Sequence, residues 1–218
     1  MHLEIEGLWN ARDVGLSTGA LPAGRLFRSG SLHRVTRDGW AALLAAGVRS
    51  VVDLRTAQER DVGPTTPPEG VVVVVPELED GLEQTEAFQS WFDDGRIGTP
   101  LYYGPFTEQW PERVERAVAA VATAGAGVLV HCARGRDRTG MVVALLLEGV
   151  GVPREAILQD FHRSEERARS PQARALRVPD QASGIASALA RDGDTLDGVL
   201  AAYLDAHGRP RPELAWLR

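Results

Sequence analysis

An apolar run, Gly127-Val128-Leu129-Val130, passes through ten small and polar residues, His131 to Gly140 (HCARGRDRTG), into a second apolar segment, Met141 to Leu147. This order reads as strand, tight loop, helix, and it constrains the chain more than any other feature. A strand that ends in a tight loop and a helix start leaves several backbone N–H groups unpaired and aimed at one spot. The positive end of the helix dipole lies behind them. Such a cradle suits a tetrahedral dianion. The loop also holds the single cysteine of the chain, Cys132. A field that attracts an anion lowers the pKa of a thiol and favours the nucleophilic thiolate. Arg138, six positions on, is placed to reach back as a planar fork onto two phosphate oxygens. Gly135 stands where the chain must turn or let its backbone approach the anion. Taken alone, Cys132 reads as a small buried hydrophobe; its surroundings point instead to phosphate-monoester hydrolysis through a cysteinyl-phosphate.

Around this loop the pattern alternates between strands and helices. It predicts an α/β fold: a central, mostly parallel sheet with helices on both faces, in one domain over residues 1–218. Leu26 to Arg28 reads as a short strand, and Val48 to Leu54 and Val71 to Val75 as buried ones. Thr36 caps a predicted helix over Arg37 to Ala46, with Gly47 as its stop. Pro111 opens a helix to about Ala124, and a further one follows the loop from Thr139 to Gly149. Pro153 starts another, with Ile157, Leu158 and Phe161 on one face. Gln181 to Ala190 and Leu196 to His207 are expected to be helical. Glu77 to Pro105 is the least legible part, with a candidate helix at Glu83 to Phe92.

Net charge is −6, which argues against a broad nucleic-acid footprint. All 24 basic residues are arginine, so Arg136 can stand where lysine would otherwise serve. One cysteine excludes an internal disulfide framework and a multi-cysteine zinc site. No metal or cofactor is implied. The N-terminal residues carry no basic segment followed by a long apolar one, and no apolar stretch approaches the roughly 20 residues of a membrane span. The expected location is cytoplasmic, with an unconventional export route left open and no stable membrane insertion.

HCARGRDRTG resembles the HCxxGKDRTG signature of bacterial tyrosine and lipid phosphatases, the atypical branch of the cysteine-dependent protein tyrosine phosphatases. The resemblance extends upstream. Asn10 to Gly15 is similar to that branch's NFRDLGG opening, Gly24 to Gly30 to its GxLYRSG segment, and Val51 to Glu59 to its DLRxxxE segment. Val152 to Ser164 and Tyr203 to Gly208 resemble its later helices. The implied fold is that of the tyrosine phosphatases, and the implied substrates are phosphorylated proteins or phosphoinositides. Cys132 would attack phosphorus, and Arg138 would bind the equatorial oxygens and stabilise the transition-state charge. Ala133, Arg134, Gly135, Arg136, Thr139 and Gly140 would form the rest of the phosphate site. His131 would order the loop and support the thiolate. Thr139 would donate a hydrogen bond to the departing thiolate, cap the helix, or both.

Expelling an alkoxide or phenoxide needs a proton, for which a carboxyl group is the usual donor. The resembling branch carries an aspartate inside the phosphate loop, matched by Asp137, so Asp137 is the expected acid, with a purely structural role as the alternative. Trp110-Pro111-Glu112 resembles the familiar Trp-Pro-Asp acid loop, but Glu112 lies only 20 residues before Cys132, at a helix start. Asp53, ending a strand of the same sheet, is a further candidate. Arg136 is expected to contact phosphate or a second charged group. Arg134 replaces a small residue and either faces solvent or selects a multiply phosphorylated head group. Arg12, Asp13, Arg28 and Arg55 are expected to line the site; alternatively Arg55 and Glu59 form a structural pair. Phe88, Trp91, Phe92, Tyr102 and Tyr103 belong either to a lid or to the core. Other readings are a phosphatase for small soluble phosphates such as inositol phosphates, and a catalytically silent phosphate-binding module. The oligomeric state is not legible.

Overall fold

The computed structural model describes residues 3–168 and 182–218. Its centre is a five-stranded sheet of β1 (Arg12–Asp13), β2 (Leu26–Ser29), β3 (Ser50–Asp53), β4 (Val72–Val74) and β5 (Val128–His131). Their order is β1-β2-β5-β3-β4. All neighbours run parallel except the short β1, which is antiparallel to β2. The expected mostly parallel sheet is therefore present. Because β5 lies between β2 and β3, His131 pairs with Ser29 on one side and Asp53 on the other. The carboxyl ends of three parallel strands thus converge where the phosphate loop begins, the usual ligand end of an open α/β sheet.

Side chains alternate across the central strands and divide the core in two. Phe27, Val51 and Leu129 pack with Trp40 and Leu43 of α2 (Arg37–Ala46) and with Ile5 and Leu8 of the N-terminal segment. Leu26, Val52, Val128 and Val130 face the opposite cluster, which contains α6 (Pro111–Ala124) and α7 (Asp137–Gly149). Helices therefore cover both faces. Every residue from Met141 to Leu147 is buried, since α7 is packed between the sheet, α6, α8 (Arg154–Ala168) and α10 (Leu196–His207). A helix apolar all round belongs in such a position.

The expected bounds of α2, α6 and α10 are reproduced, and α9 (Ala182–Asp192) falls where a helix was predicted, although Gln181 lies outside the described residues. The expected buried strand at Val71 to Val75 needs correction. β4 is an edge strand paired only with β3, so Val72 is 62% exposed despite its β-branched sequence. Three short helices were not predicted: α1 (Val14–Thr18), α3 (Ala57–Val62) and α5 (Tyr103–Gln109). The stretch from Glu77 to Pro105 contains α4 (Glu86–Asp93) and a 3-10 turn at Pro100–Tyr102. Tyr102 and Tyr103 are core residues, Trp91 stacks edge-on against Trp110 at 5.6 Å, and Phe92 is exposed.

Gly140 lies in the first turn of α7, where a Cβ would come within 2.7 Å of the Phe161 ring of α8 and 3.2 Å of the Tyr103 hydroxyl. Alanine is the better helix former, yet here it must displace a packed aromatic ring. Gly140→Ala is expected to lower stability by about 1–3 kcal/mol in urea unfolding. A stabilised variant would show that α7 and α8 do not approach this closely.

Candidate active site

The phosphate loop connects β5 to α7 through Cys132 to Arg136. Gly135 has φ +65°, and a Cβ there would lie 2.2 Å from the Ser29 carbonyl oxygen, so neither conformation nor space admits another residue. The Gly135 N–H donates to Cys132 Sγ at 3.2 Å. At the start of α7, the N-cap residue Arg136 makes no side-chain capping bond, which leaves the first-turn N–H groups of a 13-residue helix available to an anion. Cys132 is buried and free, at the foot of this cradle.

N–H groups can face inward only if the loop's carbonyls are satisfied from outside. Each has an identifiable donor. The Cys132 carbonyl accepts from His131 Nδ1 at 3.3 Å, and that of Ala133 from the Ser31 N–H at 3.0 Å. The Gly135 carbonyl accepts from Arg28 at 2.8 Å and from Asn10 Nδ2 at 3.0 Å. Arg28 is paired with Asp160 at 2.6 Å, and Arg12 pairs with the same carboxylate at 2.7 Å while donating to Asn10 Oδ1 at 2.6 Å. Ser17 completes the Asp160 shell at 2.8 Å. Burial alone would raise the Asp160 carboxyl; Arg12 and Arg28 overcome it and hold the group far below the usual carboxylate range. Arg12 and Arg28 therefore do not line the site, as their resemblance-based placement suggested. They are buried behind the loop and shape it. Asp13, likewise, caps α1 through Leu16 N–H at 3.2 Å.

Arg138 enters from α7. Its two terminal nitrogens lie 2.6 and 2.8 Å from the Glu59 carboxylate, and its Nε lies 3.2 Å from Glu79 Oε2. The proposed Arg55–Glu59 pair is thus replaced by two others. Arg55 clamps Asp53, with its closest contact at 2.7 Å, and also donates to Ser31, Gly63 and Thr65. Glu59 closes a capping box with Thr56 on α3 while it holds Arg138. Burial favours a neutral Asp53, but the hydrogen bonds from Arg55 hold it ionised below its ordinary range, which makes it a poor acid. His131 is fully buried, 3.5 Å from Asp53; burial lowers its pKa to about 4, so the ring is neutral at neutral pH. It steadies the loop without adding charge beside Cys132.

Of the two contacts expected of Arg136, phosphate or another charged group, the structure shows the second. The Arg136 guanidinium is buried and turned away from the cradle, onto Asp137 at 2.9 Å, the Gly98 carbonyl at 2.7 Å and Glu165 at 3.3 Å. Both Asp137 oxygens accept from this one guanidinium, at 2.9 and 3.2 Å. Arg134 is half-buried, and burial together with neighbouring Arg136 lowers its pKa against the pull of Asp137. The Thr139 hydroxyl is buried without a hydrogen-bond partner. Glu112 is an exposed first-turn residue of α6. Asn10, Glu79 and Asp160 belong to this site although none was singled out as a candidate. For Asp160 a signal existed: it shares the buried 157-160-161-164 face of α8 with Ile157, Phe161 and Ser164. Among the described residues, no group of three or more His, Cys, Asp or Glu side chains could hold a metal ion, and no helix is long and apolar enough to cross a membrane.

Removing the Asp160 charge leaves Arg12 and Arg28 buried and uncompensated. Asp160→Asn is expected to cost about 3–5 kcal/mol in urea unfolding and to raise the KM for an aryl phosphate as the loop loosens. Because the folded pKa of Asp160 is depressed, its contribution is complete above the unfolded carboxylate pKa of about 4 and is lost as pH falls below it. The Asn variant should lack that part of the acid-dependent destabilisation. A change below about 1 kcal/mol at neutral pH would contradict the hub.

Residues 3–212 match the model of the tyrosine phosphatase family. The triple specificity protein phosphatase PtpB of Mycobacterium tuberculosis is 35% identical over 237 residues, covering 93% of this chain and 86% of that protein. A putative tyrosine-protein phosphatase of Cupriavidus necator is 30% identical over 182 residues, covering 76% and 63%. Among solved structures, the core catalytic domain of the S. cerevisiae PP-IP phosphatase SIW14, in complex with citrate, is 14% identical over 88% of this chain and 96% of that one, with a TM-score of 0.42. P. aeruginosa TpbA, with its cysteine replaced by serine and in complex with pTyr, is 18% identical over 93% and 99%, with a TM-score of 0.37. The coverage of the family model and the identity to PtpB decide the assignment: this chain belongs to the tyrosine phosphatase family, and Cys132 sits in a loop built for its cysteine-dependent chemistry.

Proposed function

We propose that this chain hydrolyses phosphate monoesters, taking phosphotyrosine in proteins and phosphoinositide head groups as substrates. The observation that carries the reading is the Cys132 thiol lying within 3.2 Å of the Gly135 N–H at the uncapped start of α7. A phosphoryl group in this cradle would accept hydrogen bonds from the N–H groups of Ala133 to Thr139 and from Arg138, the Gly140 N–H being spent on the Arg136 carbonyl at 2.7 Å. Cys132 Sγ attacks phosphorus as the ester oxygen leaves with a proton. Water then attacks the cysteinyl-phosphate, releasing inorganic phosphate and the thiolate, to which the free Thr139 hydroxyl can donate. The same field that binds the dianion stabilises charge on the transferring group.

The substrate class draws on the relative PtpB, which carries the name triple specificity protein phosphatase. A cavity of about 390 Å³ adjoins the loop at Ala133, bordered by Ser31, His33 and Val62, and gives room for a group larger than phosphate. A cytoplasmic location is part of this proposal, since a catalytic thiol with no second cysteine works best in a reducing compartment.

Phosphate release from p-nitrophenyl phosphate and from a phosphotyrosine peptide tests the reading. Cys132→Ser should lose on the order of 10⁴-fold or more in kcat, and EDTA should leave the wild-type rate unchanged. Retained activity in Cys132→Ser, or loss with EDTA, would overturn the mechanism. A monophosphorylated phosphoinositide in the same assay decides whether lipid head groups are accepted.

A further inference from the structure

The segment after β4 brings a second carboxyl group to Arg138, and its course is tightly held. Pro76 ends the strand, and Glu77 adopts φ +54°, a left-handed conformation uncommon for such a residue. Leu78 is fully buried in the core. Arg113 of α6 donates to the carbonyls of Glu77 and Asp80, each at 2.9 Å. Asp80 pairs with Arg60 at 3.2 Å and accepts the Ala57 N–H at the start of α3. With the backbone pinned on both sides, the Glu79 side chain is held between Arg138 and Tyr102. Its Oε2 lies 3.2 Å from Arg138 Nε, and its Oε1 accepts the Tyr102 hydroxyl at 3.0 Å.

We propose that Glu79, rather than Asp137, is the catalytic residue that protonates the leaving oxygen. This rests on the phosphatase reading above. The other carboxyl groups at the site are committed: Asp137 to Arg136 through both oxygens, Asp53 to Arg55, and Glu59 to the terminal nitrogens of Arg138. Glu79 holds its arginine by one oxygen only, at Nε, where Glu59 holds it by two. A dianion arriving there meets two carboxylates already facing one positive charge, and Glu79 is the one most readily neutralised. Burial raises its pKa, Arg138 and the Tyr102 hydroxyl oppose that, and Glu59 and Asp137 add to it.

When a phosphate oxygen replaces Oε2 on Arg138 Nε, Glu79 loses its positive partner and takes up a proton from solvent at Oε2, beside the transferring group. As the S–P bond forms and the P–O bond breaks, this proton moves to the ester oxygen and leaves Glu79 as a carboxylate. The carboxylate then takes a proton from the water that attacks the cysteinyl-phosphate. Phosphate and the Cys132 thiolate are released, and Glu79 is again protonated. Tyr102, whose own pKa burial pushes well above its ordinary value, stays a donor throughout and holds Oε1 in the acceptor role.

A series of aryl phosphates with leaving-group pKa from about 5 to that of tyrosine, about 10, tests the assignment. For Glu79→Gln the loss in kcat should be small with the most acidic phenol and grow to about 10²–10⁴-fold with phosphotyrosine. Asp137→Asn should shift the whole series in parallel. Inorganic phosphate should inhibit Glu79→Gln at least as tightly as wild type, because a carboxylate facing the anion has gone. A raised pKa keeps the acid protonated to higher pH, so the wild-type rate on poor leaving groups should fall as pH rises through it. Tyr102→Phe removes a hydrogen bond that stabilises the carboxylate and should move that limb to higher pH, a result that does not depend on the Gln variant folding. Equal losses across the series in Glu79→Gln, leaving-group dependence confined to Asp137→Asn, or an unmoved basic limb in Tyr102→Phe would each overturn the proposal. No phosphate release from any ester by the wild type would instead sink the phosphatase reading itself.

Discussion

A loop can turn its N–H groups toward an anion only while something else holds its carbonyls, and here that duty returns to one buried carboxylate. Asp160 of α8 pairs with Arg12 of β1 and Arg28 of β2, and Arg28 passes the order on to the Gly135 carbonyl. Asn10, itself positioned by Arg12, donates to the same oxygen. Two buried arginines on one carboxylate leave a net positive charge behind the loop, in the direction from which a phosphate dianion would feel attraction. The arrangement is expensive in desolvation, and its value lies in geometry: several chain segments remote in sequence meet at one glycine carbonyl.

The front of the site follows a different economy. Arg138 is held between Glu59 and Glu79, which fix the orientation of its guanidinium. Glu59 takes its place from a helix-capping geometry on α3, which ties the arrangement of a catalytic arginine to the start of a six-residue helix. Binding a dianion then requires an exchange of partners on Arg138 rather than its assembly from solvent. That exchange couples substrate entry to the protonation of a neighbouring carboxyl group.

Legibility of the sequence followed the range of the physics involved. Helices α2 and α6 were readable because Thr36, Gly47 and Pro111 act within a turn of themselves. The short helices α1, α3 and α5 span five to seven residues, too few for a 3.6-residue period to register. Signals for two of the missed features were nonetheless present and went unread: the Thr56-x-x-Glu59 capping box of α3, and the charge of Asp160 on the apolar face of α8. The valine run at β4 misled because β-propensity does not distinguish a central strand from an edge. Glu79 carried no local signal, since its meaning depends on a partner 59 positions away.

By itself, the sequence determined the strand-loop-helix, the cysteine and arginine placed within it, and the alternation that makes the fold α/β. Those properties are local: backbone geometry, helix dipoles and side-chain reach act over a few residues. Tertiary structure alone decided which arginines face the anion and which stand behind the loop, turning Arg12, Arg28 and Arg136 inward to Asp160, Asp137 and Glu165. It also decided which carboxylate meets Arg138. Charge pairing in a buried site is set by through-space distance and desolvation, and neither is written in the order of residues along the chain.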